Sequence, residues 1–400
     1  MRFRTGPTCF LIPLAIDTCG GLTSIAAPLV LKSHYGLLDS QIGLILGTGT
    51  ILYVVTCFFG GRLADRAGYE TIIKVGLAIL TLNALSFLLW GPLPYYIVCT
   101  IFFPFGHAFF WPAFQAWIGR DVDRLEMARR IGIFSVGWSL GLSAVGPFVA
   151  GWTLEIDRNL PFILATILPF AVLIVFHFAR PELLRHEVHA TGQADEFVPQ
   201  ERRRAFLYAA RVGIVSAVVA MAVVRTYFPL IGLDWELSTG SIGAIVTVLG
   251  LGQSGIFLLL TLTQRWHYRL AYLLSAQVLG AMGLIFFSSL GYFLVGTGGE
   301  ADATIGVLLA VPALFCAGIM SGVCYFSSAF YALFGEESKG KNSGIHESLI
   351  GVGYGIAQYG GGAAVRYIHK LSPYFLCGLL ILGFIVWQER IIRAREKPRK

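Results

Sequence analysis

Asp17 lies about nine residues into an apolar run that begins near residue 8, roughly 14 Å along a helix and close to the middle of a bilayer. Gly20, Gly21 and Ser24 continue its face at helical spacing. An ionisable group at that depth costs at least about 2.5 to 3.5 kcal/mol, so it faces water, a partner or a substrate. A carboxyl suits proton carriage or the holding of a cationic group, because burial favours its protonated form and a bound cation its ionised form. Pairing with a neighbouring helix is the structural alternative.

His107, Trp111 and Gln115 recur at i, i+4 and i+8 of another apolar run. An imidazole, an indole and an amide on one stripe suit a polar substrate that also stacks, and interhelical hydrogen bonding accounts for them equally well. No second His or carboxylate stands beside them at ligand spacing, which argues against a metal site. Arg225 lies toward the outer end of its run, where it attracts an anionic group, closes an outer gate or snorkels to headgroups. Ser321, Tyr325 and Ser328 form a further polar stripe. His346 and Glu347 open a run beside Gly344, and Glu347 either relays a proton or pairs with Arg66 or Arg130 at a helix N-terminus.

The elements that carry these residues follow from composition. Hydrophobic residues make up 56% of the 400 and charged residues 13%, with mean hydropathy +0.71. Charged residues are thus about half as frequent as in soluble domains. A spanning helix needs about 20 mostly apolar residues. The chain has twelve such stretches: 8–31, 40–60, 71–91, 95–118, 131–153, 160–179, 207–230, 240–262, 270–295, 304–334, 343–367 and 372–390. An all-α integral membrane fold with twelve transmembrane helices is the expectation. The first stretch carries Asp17 and has no small-residue cleavage pattern, so it reads as a retained helix.

Lys and Arg fall almost entirely on one side of this topology, with Lys32, Arg158, Arg366 and Lys370 on the other and Arg225 within a span. Cytoplasmic N- and C-termini follow from that bias. The net charge of +7 is therefore a topology signal, and no basic stretch is interleaved with aromatics as a nucleic-acid surface requires. All seven cysteines lie in apolar spans at spacings unlike C-x-x-C, as small packing residues do.

A polar stretch from Arg180 to Arg204 divides the spans six and six. It predicts an N-terminal bundle over 1–180, a cytoplasmic linker over 181–206 and a C-terminal bundle over 207–400. A faint repeat relates the halves: sliding the fifth span onto the eleventh places Gly132 on Gly344, Ile133 on Ile345 and Gly141 on Gly353, with Ser135 meeting Glu347. Glycines crowd both spans, either for close helix contact or as smooth faces that slide.

Between the second and third spans the chain reads Gly60-Gly61-Arg62-Leu63-Ala64-Asp65-Arg66-Ala67-Gly68-Tyr69-Glu70. This resembles the G-x-L-x-D-R-x-G-R-K/R signature of the major facilitator superfamily, matching from Gly61 to Gly68 and departing at Tyr69 and Glu70. The resemblance implies two pseudo-symmetric six-helix bundles whose first, fourth, seventh and tenth helices line a central cavity. It also implies a conformational latch in which Asp65, with Gly61, Arg66 and Gly68, meets the eleventh helix near Ser343, Gly344 and Glu347. Gly141, Gly146, Pro147 and Gly151 partly resemble the glycine-proline pattern of exchangers. Phe102 stands where many multidrug exporters carry a buried Arg, and the counterpart loop from Gln264 to Arg269 lacks the Asp.

The expected function is a secondary active transporter of a small molecule, working by alternating access as a monomer in a cell membrane, the inner membrane if the source is bacterial. No G-x-x-x-x-G-K-S/T loop occurs, so an ion gradient, protons first, is the expected driver, with no cofactor. No nucleophile, acid/base pair or metal cluster suggests an enzyme. A sensor or membrane assembly protein on the same scaffold is the second expectation. Sugars, amino acids, organic ions and amphipathic drugs all remain compatible with these residues.

Overall fold

A computed structural model describes residues 5–119, 124–178, 198–263, 265–294, 300–333 and 339–396. Each of the twelve apolar stretches is a helix. They are α1 (Thr5–Ser33), α2 (Asp39–Ala67), α3 (Tyr69–Ser86, prolonged by a 3-10 turn at Phe87–Leu89), α4 (Leu93–Ile118), and α5. The last runs from Arg124–Leu140 through a π turn at Gly141–Val145 into Gly146–Ile156. Then come α6 (Leu160–Phe178), α7 (Gln200–Asp234), α8 (Thr239–Leu262), α9 (Leu270–Leu294), α10 (Glu300–Leu333), α11 (Lys339–Tyr367) and α12 (Ser372–Glu396). Residues 181–197 of the expected linker lie outside the described residues, and its last stretch, from Gln200, already forms the first two turns of α7.

Among the described residues, eleven helices are long and apolar enough to cross a membrane by length and composition. The remaining one, α11, has the length at 29 residues but carries His346, Glu347, Gln358 and a run of glycines. It needs less apolar surface because α2 and α7 cover it. Outward faces elsewhere carry Leu44, Ile51, Val55, Phe59, Leu259 and Phe293, all exposed as lipid-facing residues would be.

The helix pairs repeat when six is added to each number. Pairs α1 with α5, α1 with α6, α2 with α4, α3 with α4 and α3 with α6 recur as α7 with α11, α7 with α12, α8 with α10, α9 with α10 and α9 with α12. The halves meet through α2 on α11 and, symmetrically, α8 on α5. The faint repeat in the sequence marks these contacts. A Cβ on Gly141 would lie 2.5 Å from the Leu14 carbonyl of α1, and one on Gly353 would lie 2.9 Å from Val218 of α7. Likewise Gly132 packs on Thr261 of α8 and Gly344 on Cys57 of α2. Lipid tails are as apolar as leucine, so this close backbone approach supplies packing energy that burial alone does not.

The π turn has a local cause. Pro147 has no N–H to give the Ser143 carbonyl, and the Gly21 to Gly146 contact brings α1 against α5 there: a Cβ on Gly21 would stand 2.8 Å from the Gly146 Cα. The turn directs the Ser143 hydroxyl between the two halves.

Candidate central cavity

A cavity of about 240 Å³ opens between the halves, lined from α1, α2, α4, α5, α7, α10 and α11, with Phe87 from the turn after α3. Asp17, His107, Trp111, Gln115 and Tyr325 all line it, so the structure gathers five residues singled out from the sequence. Glu347, assigned to the latch, lines it as well. Helices α2, α5 and α11 contribute walls that the resemblance did not imply, through Thr50, Tyr53, Trp138 and Tyr354.

Asp17 is 5% exposed, and among the described residues its carboxylate has no hydrogen bond or ion pair. It lies within the electrostatic reach of both Arg225 and Glu347. On α4, the His107 ring faces the Ile16 backbone of α1, and its Nε2 is buried with no partner among the described residues. Phe103 packs edge-on against its ring with centroids 5.4 Å apart, and Trp111 meets Phe134 at 5.7 Å.

Gln115 ends the stripe by donating from its amide to Glu347 Oε1, and the Tyr53 hydroxyl donates to Glu347 Oε2 at 2.6 Å. A carboxylate of α11 is thus held by donors from α2 and α4 of the opposite half. Its partners are neutral, whereas the sequence suggested Arg66 or Arg130. The Arg130 guanidinium bonds the Ile118 carbonyl at 3.0 Å. Tyr325 packs against Trp138 in a tilted arrangement with centroids 4.5 Å apart, another contact across the halves.

Arg225 is 2% exposed, which removes the snorkelling alternative. Its guanidinium donates to the Tyr354 hydroxyl and to Ser143 in the π turn, and Ser143 donates onward to Gln253 of α8 at 3.1 Å. Ser321 spends its hydroxyl on the Ala317 carbonyl of its own helix at 2.7 Å and lies outside the cavity wall, and Ser328 bonds His346 Nδ1.

The latch residues are not gathered in one place. Asp65 accepts from the Tyr69 hydroxyl at 2.9 Å, and Asp65, Arg66 and Gly68 are exposed, with Gly68 at φ +89 ending α2. Gly61 is buried within α2. Gly344 meets α2 at Cys57, two turns before Asp65. The Ser343 side chain lies outside the described residues.

One cluster was not read from the sequence. On the face away from the chain ends, Lys32 lies 2.8 Å from Asp39 and 2.7 Å from Asp234, and Lys370 lies 3.9 Å from Asp234. These charges join α1 and α2 of one half to α7 and the α11 to α12 turn of the other.

The Major Facilitator Superfamily model matches residues 9–357. The chain is similar to Multidrug resistance protein 2 of Bacillus subtilis (strain 168), 25% identical over 171 residues, which are 42% of this chain and 42% of that protein. The matched region is therefore less than half of the relative. Among solved structures, the crystal structure of the human organic anion transporter MFSD10 (TETRAN) superimposes with a TM-score of 0.67 over 96% of this chain and 99% of that one, at 14% identity. That likeness is one of fold.

Proposed function

Since the chain belongs to the major facilitator superfamily and is thereby a multi-pass membrane transporter, we propose that it is a secondary active transporter that exchanges protons for a cationic small molecule by alternating access. The observation that carries this reading is the set of ionisable groups at the cavity. Asp17 and Glu347 both line it, and a single guanidinium, Arg225, stands behind the wall within electrostatic reach of Asp17, so that with both carboxylates ionised one negative charge is uncompensated. An uncompensated buried charge is strongly unfavourable. One proton or one monocation cancels it, and the two exclude each other, which is the logic of exchange. Exchange of one proton for one monocation moves no net charge, so the pH gradient and not the membrane potential drives it.

Contacts between the halves lie on both sides of the cavity, as alternating access requires. The Lys32, Asp39, Asp234 and Lys370 cluster lies toward one face, and Glu347 with Tyr53 and Gln115, backed by Tyr325 on Trp138, lies toward the other. Basic residues concentrate on the face of the chain ends, which we read as cytoplasmic in a cell membrane. A monomer suffices, because both halves of the cavity come from one chain.

Purified protein in vesicles is expected to move an organic cation against an imposed pH gradient. A protonophore should stop the flux, and Asp17→Asn should do so at normal protein level. Flux that continues unchanged with the proton gradient collapsed is incompatible with the coupling.

A further inference from the structure

A notch over Gly20 narrows the chemistry of the cation. Gly20 lies three residues beyond Asp17 on α1, and a Cβ placed there would meet Leu142 at 3.3 Å, His107 Nε2 at 3.4 Å and Asp17 Oδ1 at 3.8 Å. The missing side chain therefore leaves a narrow gap, already close-fitting for one carbon, flanked by a carboxylate oxygen and a ring nitrogen. The other side of the ring faces the Ile16 backbone, whose carbonyl suits a protonated ring nitrogen, and in that tautomer of neutral imidazole Nε2 holds a lone pair. Asp17 and His107 are 5% and 8% exposed, and Nε2 is buried with no partner among the described residues. Both groups are acceptors, and a buried acceptor left unmatched is costly.

We propose that Asp17, Gly20 and His107 form a subsite for a primary or secondary ammonium group, which gives one N–H to the carboxylate and one to Nε2. The apolar body of the ligand lies among Phe103, Trp111 and Trp138 of the same cavity. Use of the subsite for transport rests on the function proposed above, whereas binding does not. A quaternary ammonium carries the charge but no N–H, and strands Nε2. A carboxylate ligand meets Asp17 with the wrong sign. Selectivity thus follows donor count as well as charge.

The test is isothermal titration of the purified full chain with phenethylamine, its N,N,N-trimethyl derivative and 3-phenylpropionate. The amine is expected to bind about tenfold or more tightly than the trimethyl compound, which keeps the charge but loses both charge-assisted hydrogen bonds, and the propionate to be the weakest. His107→Leu should narrow the gap between the two cations, Asp17→Asn should abolish binding of both, and Gly20→Ala should weaken the amine. Equal or tighter binding of the trimethyl compound or the propionate to the unmodified protein overturns the subsite, as does failure of the amine to bind at millimolar concentration. The unmodified protein decides this even if a variant misfolds. Amine binding with this selectivity in vesicles that show no flux would remove the transport reading and leave the subsite standing. Proton-driven flux of a cation without N–H groups would do the reverse.

Discussion

Arg225 shows how far a single residue can be read. Its presence in an apolar span marked it as a candidate, because a charge there is expensive, and left snorkelling as the alternative. Its partners, Tyr354 and Ser143, come from two other helices and depend on a π turn that no local spacing announces. Asp17 and the His107 stripe were legible for the same energetic reason, and the helical period alone put His107, Trp111 and Gln115 on one wall. Glu347 was legible as a charge but not as part of the cavity, since Tyr53 and Gln115 stand 294 and 232 residues away in the chain. The charge balance gives a prediction. Arg225→Met removes the guanidinium within electrostatic reach of Asp17 and strands Tyr354 and Ser143, and should cost on the order of 1 to 3 kcal/mol of stability, read as a lower melting temperature in detergent. Adding Asp17→Asn to it should recover part of that loss. A double variant no more stable than Arg225→Met alone would mean that Arg225 does not offset the charge of Asp17.

At the scale of the helix, length and apolarity located all twelve elements, including α11, whose glycines and polar residues make it the least membrane-like of them. The glycine repeat between the fifth and eleventh spans proved physically specific, since Gly141 and Gly353 mark equivalent crossings in the two halves. The break in α5 was not legible, because a proline frees a carbonyl without dictating whether the helix kinks, widens or merely bends. Not every glycine is a contact, and the difference is measurable. Gly21→Ala drives a methyl to within 3.0 Å of backbone atoms at Gly146, Gly141 and Leu142, and should cost about 1 to 3 kcal/mol through overpacking. Gly255→Ala, with nothing within 4 Å of the added carbon, should be neutral or stabilising by up to about 1 kcal/mol through helix propensity. Thermal melting of the two variants side by side checks this, and a Gly21→Ala protein as stable as the parent would show that α1 and α5 separate freely.

At the scale of the whole molecule, the two halves can rock only if the contacts that hold each side are weak enough to exchange. The Lys32, Asp39 and Asp234 side chains are 19%, 12% and 32% exposed, so their ion pairs are partly hydrated and each is worth about 1 kcal/mol or less. That weakness suits a gate. A network of several kcal/mol would trap this conformation, whereas about 1 kcal/mol moves a two-state population roughly fivefold. Sequence could not pair these charges, because Lys32 and Asp234 sit in different halves and meet only after both bundles have formed. Lys32→Gln removes the cation shared by Asp39 and Asp234 and also the bond from Lys32 Nζ to the Leu230 carbonyl at 2.8 Å. It should shift the population toward opening on the face away from the chain ends by about fivefold. The shift can be read as faster labelling, by an impermeant thiol reagent, of a cysteine placed at Thr50 in a background lacking the seven native cysteines. Raising ionic strength should accelerate labelling of the Lys32 parent and leave the Lys32→Gln variant nearly unchanged, because salt screens only a pair that exists. Equal labelling rates in the two proteins at low salt would assign closure of that face to helix packing instead of to these charges.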